Sequence, residues 1–138
     1  MLAPGRKLGA TVNIPELHWS AQAVPHYDYL LDDAEAGAML AGDHCIPLCL
    51  PQAARFVWHK LYSSTQRRGS PEKPAKDRQQ ALLLGAVLAD TDALAIRIAF
   101  KDAPTAMVAP IRPLLKTLAG SVRKHPVLED VLRECLDG

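Results

Sequence analysis

The chain has few cysteines and an odd number of them: Cys45, Cys49 and Cys135. Three thiols do not make a disulfide framework, so the expected setting is a reducing cytoplasm. Also absent is any apolar run near the roughly 18 residues that a membrane span requires, and no membrane partner is expected. Met1 to Lys7 lacks the apolar stretch of a signal peptide. Neither charge sign dominates. A formal net charge of +1 over 138 residues excludes the global basic field of a non-specific nucleic-acid binder, so nucleic acid is not indicated. Missing too are G-x-x-x-x-G-K-[ST], G-x-G-x-x-G and G-x-S-x-G, which leaves Ser63, Ser64 and Ser70 without a motif that marks a nucleophile. What is there is an ordinary globular mixture, 49% hydrophobic and 22% charged, of a length that suits one domain.

The charges are balanced but not evenly spread. Residues 1–50 set Arg6 and Lys7 against Glu16, Asp28, Asp32, Asp33, Glu35 and Asp43. Residues 51–80 set Arg55, Lys60, Arg67, Arg68, Lys73, Lys76 and Arg78 against only Glu72 and Asp77. A cation cluster thus follows an acidic stretch inside a neutral protein. Such a cluster is either a solvated face matched to the acidic stretch or a site for an anion.

The pattern predicts an α+β fold, with a short N-terminal β portion of two to three strands followed by a bundle of about five helices. Residues 1–9 read as a loose tail and residues 10–138 as a single domain, β-containing to residue 50 and helical beyond it. Thr11–Ile14 and Leu17–Ala21 read as extended, Tyr27–Leu31 as a short helix, and Asp33–Leu40 as a helical turn closed by Ala41-Gly42-Asp43. His44–Leu50 is β-rich, and Pro47 makes it an edge strand. Ala54, Val57, Trp58 and Leu61 keep the spacing of a buried helical stripe after Pro51. Ser70 and Pro71 offer a cap and first turn for a helix over 75–89, and Asp90 or Thr91 caps another to about Lys101. Pro110 and Pro113 argue against one helix across 105–119, placing a helix only from Pro113 to Gly120. Pro126 begins a last helix whose stripe is Val127, Leu128, Val131, Leu132 and Cys135.

Three groups of residues invite chemistry. His44, Cys45 and Cys49 suggest a metal, but no second pair completes a zinc set, and two buried thiols are the simpler reading. Asp90-Thr91-Asp92 has a magnesium-binding form, yet it lies between two helices, where Asp and Thr serve as caps. The third group is Lys60, Gln66, Arg67, Arg68, Lys76, Asp77 and Gln80. On a helix Lys60 and Arg67 share a face, and a short loop would bring them beside Lys76. Lys60, Arg67 and Lys76 are expected to converge on one concave site with Asp77 close by, suited to a phosphate-bearing ligand.

The run Leu50-Pro51-x4-Phe56-Val57-x-His59-Lys60-Leu61, then Gln66-Arg67-Arg68, then Lys76-Asp77-x2-Gln80-Ala81-x-Leu83-Leu84, resembles the C-terminal half of bacterial nucleotidyltransferase-fold proteins. The likeness spans about residues 13–90 and includes Tyr29 to Asp43; it extends distantly to the nucleotidyltransferase toxins of abortive-infection systems. The resemblance implies that Lys60, Arg67, Arg68, Lys76 and Asp77 complete a nucleotide pocket from the helical side. It also implies an N-terminal Gly-Ser or Gly-Gly turn and a strand-borne Asp-x-Asp, neither of which stands ahead of residue 29. The chain is therefore expected to be inactive alone and to hold no catalytic or metal-ligating residues. Magnesium and a nucleoside triphosphate would enter only with a catalytic half; the partner expected is such a half or, alternatively, a second copy of the chain. The alternative is a helical protein–protein interaction module whose cations meet an acidic partner.

Overall fold

The computed structural model describes residues 2–69 and 71–137. Ser70, read above as a cap, lies outside them. The N-terminal part builds a three-stranded sheet and a separate hairpin. β1 (Leu2–Pro4) runs parallel to β3 (Trp19–Val24), and β2 (Thr11–Ile14) pairs antiparallel on its other side, giving the order β1-β3-β2. A 3-10 turn, Pro15–Leu17, links β2 to β3. Helix α1 (Tyr27–Leu31) follows, and then β4 (Glu35–Ala41) and β5 (His44–Leu50) form a two-stranded antiparallel hairpin. The helical part holds α2 (Ala53–Gln66), α3 (Glu72–Lys101), α4 (Thr105–Ser121) and α5 (Pro126–Asp137). The fold is α+β, with five strands among the described residues instead of two or three.

The first nine residues are not a loose tail over their described length. β1 hydrogen-bonds along β3, Ala3 is buried, and Gly9 N–H donates to Ala23 O at 2.9 Å. Three residues ending in proline carry too short a pattern to announce a strand; long-range pairing creates it. Asp33–Leu40 is likewise not a helical turn. Its Ala, Met and Leu favour helix locally, but the two-residue turn at Gly42 (φ +58°) and Asp43 folds β5 back onto it. Every residue of β5, and all of β4 but half-buried Gly37, are exposed, so Cys45 and Cys49 are surface thiols and not the buried pair expected. Residues on β5 do alternate, but neither face of the hairpin is covered.

The core lies among the helices and reaches back to Tyr29. From α2 it takes Ala54, Val57, Trp58 and Leu61, the stripe that the spacing predicts. Trp58 is fully buried, donates its indole N–H to Ile96 O at 2.9 Å, and lies 4.6 Å from the Phe100 ring. α3 is broken at Asp92 (φ −154°, ψ 68°), and the cap there is Asp92 itself, not Asp90 or Thr91: its Oδ1 accepts the Ala95 N–H. Gly85 lets α3 approach α5, since a Cβ there would stand 3.3 Å from Leu128 Cδ1. In α5 Leu128, Val131, Leu132 and Cys135 are buried, whereas Val127 is exposed.

α4 is one helix across both Pro110 and Pro113, against the expectation that they would break it, and it runs past Gly120 to Ser121. The carbonyls deprived of a donor are those of Ala106 and Ala109, four residues back. Both residues are exposed, so water can serve them, while Met107, Val108, Ile111 and Leu115 are buried along the other side. Apolar burial on that side outweighs the two lost bonds.

Two side chains fasten α2 to the N-terminal part. Arg55 is buried, donates to Asp32 Oδ2 at 2.8 Å, and lies 5.0 Å over the Tyr29 ring. His59 is buried too, with Nε2 2.8 Å from Pro25 O and Nδ1 3.5 Å from Ser63 Oγ. A carbonyl accepts only from a protonated Nε2, leaving Nδ1 for the Ser63 hydroxyl; the ring is neutral in this arrangement. Burial foremost, aided by nearby His26 and Lys60, pulls the His59 pKa below its ordinary value, and burial lowers that of His26. The unfolded chain then binds protons that the folded one resists. Stability should be full above about pH 7 and fall as pH drops below the ordinary imidazole value of about 6.5. Thermal melts from pH 7.5 to 5 check this; an unchanged slope in His59→Asn would remove His59 from the account.

Candidate functional site

The site forms where the α2–α3 turn meets the back of the three-stranded sheet. α2 ends after Gln66 and α3 starts at Glu72, so the two helices pack antiparallel across a short basic connection. Asp77 stands at the centre, buried in the second turn of α3. Its Oδ1 accepts from Lys60 Nζ at 3.0 Å and its Oδ2 from Arg67 Nε at 2.5 Å. Burial by itself would raise the Asp77 pKa, but the hydrogen bonds and charges of Arg67 and Lys60 outweigh it and hold the carboxyl below the ordinary carboxylate range. Asp77 is therefore an anion that fixes two cations, and both its oxygens are occupied.

Around this triad lie two adjoining hollows. One, of about 450 Å³, is lined by Gly9, Gln22, Lys60, Arg67, Lys73, Lys76, Asp77 and Gln80. The other, of about 650 Å³, is lined by Arg6, Lys7, Leu8, Gly9, Pro25, Gln66, Arg67, Arg68 and Lys73. Gly9, Arg67 and Lys73 line both, so the hollows form one groove with seven cationic side chains and a single carboxylate. Among the described residues, Arg6, Lys7, Arg68, Lys73 and Lys76 pair with no carboxylate. Lys60 also lies 5.3 Å over the Phe56 ring, which steadies its stem.

Of the residues singled out in the sequence, Lys60, Arg67, Lys76 and Asp77 meet in the first hollow, and Arg68 lines the second. Sequence reasoning missed Arg6, Lys7 and Lys73. Lys73 belongs to the cation run and sits one helical turn before Lys76 and Asp77, a spacing that could have drawn it in. Arg6 and Lys7 reach the groove only because β1 pairs with β3, and nothing local announces that.

A magnesium site needs carboxylates with free oxygens near one another. Asp92 caps a helix break, Asp77 is spent on two cations, and the described residues hold no group of three or more His, Cys, Asp or Glu side chains placed to bind a metal. The described residues therefore do not assemble a site for the magnesium that the resemblance implies.

A nucleotidyltransferase family model matches residues 2–105. The chain belongs to that nucleotidyltransferase family. The matched span contains both sheets, α1–α3 and every residue of the basic groove, while almost all of α4 and the whole of α5 lie beyond it. No curated protein and no solved structure matches the chain. No helix among the described residues is long and apolar enough to cross a membrane.

Proposed function

We propose that this nucleotidyltransferase-family chain binds the phosphates of a nucleotide in the Lys60–Arg67–Lys73–Lys76 groove and does not transfer the nucleotide by itself. The observation that carries the reading is the charge arrangement: seven cations face one groove, and the one carboxylate among them is buried, pairs with two of them and cancels only one positive charge. A net of six positive charges left facing each other is wasteful unless an anion joins them. Lysine and arginine donors give phosphate oxygens charge-assisted hydrogen bonds without a preformed Gly-rich loop. The missing metal carboxylates come, in this reading, from another protein segment, and magnesium with a nucleoside triphosphate acts only once they are joined to this groove. The β4–β5 hairpin supports such a joining. Met39, Leu40, Ile46, Leu48 and Leu50 are all exposed, the pattern of strands that belong in a sheet covered on both sides.

Titration with inorganic tripolyphosphate tests the groove. Wild type should bind it, more weakly as salt rises, and Lys73→Ala with Lys76→Ala should weaken binding about tenfold or more, since each charge-assisted contact contributes roughly 1 kcal/mol or more. Binding that both substitutions leave unchanged would favour the protein-interaction module instead. With magnesium and any nucleoside triphosphate, the isolated chain should show no transfer to protein or nucleic-acid acceptors. Turnover that disappears in Asp90→Ala with Asp92→Ala would overturn that part.

A further inference from the structure

One face of α3 changes chemistry in a fixed order. Lys73, Lys76 and Asp77 line the basic groove; Gln80 follows one turn later, then Leu83 and Leu84, then Val87. These positions are three or four apart, so they follow one another along the same side of the helix. From Lys76 to Leu83 the helix rises about 10 Å. Opposite the apolar end stands Phe56 of α2, and between the two helices lies a shallow hollow of about 500 Å³, wide open to solvent and lined by Phe56, Lys60, Gln80, Leu83, Leu84 and Val87. Lys60 and Gln80 line both this hollow and the basic groove, so the two adjoin at these side chains. Leu83 and Val87 are 62% and 61% exposed.

Resting on the phosphate-groove reading, we propose that this hollow is the base subsite of the same nucleotide. The phosphates lie on Lys73 and Lys76, Gln80 faces the sugar or the polar edge of the base, and the ring system covers Leu83, Val87 and the Phe56 side. A heterocyclic base suits the site because it is flat and apolar on its faces yet carries hydrogen-bonding groups on its rim, the two chemistries this hollow places side by side. Continuity with the cation groove selects a nucleotide over an apolar peptide, which would leave Gln80 unmatched at its rim and the neighbouring Lys73 and Lys76 without an anion.

The test compares inorganic tripolyphosphate with ATP, CTP, GTP and UTP by calorimetry on the full chain. At least one nucleotide should bind about tenfold tighter than tripolyphosphate, the size expected for covering one base. Leu83→Ser and Val87→Ser, both at exposed positions outside the basic groove, should bring that nucleotide down to tripolyphosphate affinity while leaving tripolyphosphate itself unchanged. Far-UV circular dichroism confirms that the variants fold. Four nucleotides no tighter than tripolyphosphate, or variants that weaken both ligands alike, would overturn the base subsite and leave the phosphate groove standing. Failure of tripolyphosphate to bind would overturn both. A short single-stranded RNA that binds through Leu83 and Val87 where no mononucleotide does would also overturn the proposal, since the hollow would then belong to a polymer.

Discussion

Trp58→Ala should cost about 4 kcal/mol, a large part of the total stability of a domain this size. The side chain is fully buried at the centre of α2, flanked by Val57 and Leu61 from its own helix and by Phe100 at 4.6 Å. Truncation removes the indole's transfer free energy and leaves a cavity that α2 and α3 are too long to collapse into. It also leaves Ile96 O without the indole donor, next to the helix break at Asp92. Trp58→Phe separates the two effects, because it keeps much of the volume and loses only the N–H; its cost should be nearer 1–2 kcal/mol. Urea unfolding followed by circular dichroism measures both. A loss below about 1 kcal/mol for Trp58→Ala would mean that the helical core is organised elsewhere.

The helical half was legible because its signal is local. The Ala54–Leu61 stripe, the Asp-rich boundary near residue 91 and the α5 stripe each repeat within a few turns, and the structure places helices there. The β half was less legible because its strands are decided by partners. β1 has three residues, and Glu35–Ala41 carries helix-forming side chains that only the Gly42-Asp43 turn and β5 override. The prolines of α4 misled for a related reason. A proline rule weighs the broken ladder, whereas Met107, Ile111 and Leu115 contribute burial that the rule does not count.

At the site, the same division holds. Lys60 and Arg67 share a helix face and Lys76 and Asp77 open the next helix, so the pattern already placed four residues near one loop. The pattern did not reveal that Asp77 would be the buried hub of that group, because burial of a carboxylate depends on what other parts of the chain lay against it, here Lys60 and Arg67. Nor did it give Arg6 and Lys7, which arrive through β1. Five cations without a carboxylate partner, the feature that favours a ligand over a solvated face, emerge only in three dimensions.

Asp77→Asn should lower stability and tighten phosphate binding at once. The carboxylate is buried and holds Lys60 and Arg67 by one oxygen each. An amide keeps the shape but offers one acceptor and turns N–H donors toward a cation, so one of the two bonds is lost and the charge attraction with it. Fully buried pairs cost about 3–5 kcal/mol when broken, but Lys60 and Arg67 are partly exposed and can turn toward water, so about 2 kcal/mol is expected. The loss should depend on pH. Because Asp77 titrates below the ordinary range when folded, its contribution is full above about pH 4 and fades as pH falls through that lowered value, where wild type and variant converge. The effect on binding has the opposite sign. Removing one negative charge from among seven cations should tighten tripolyphosphate binding about fivefold, roughly 1 kcal/mol for unit charges several ångströms apart in a partly solvated groove. Saturating tripolyphosphate should then stabilise Asp77→Asn more than wild type, recovering part of what the substitution lost. Calorimetric titration and ligand-dependent melting read the two quantities independently. Weaker tripolyphosphate binding in Asp77→Asn would show that the carboxylate holds the cations in place for the ligand, so that positioning outweighs charge in this groove.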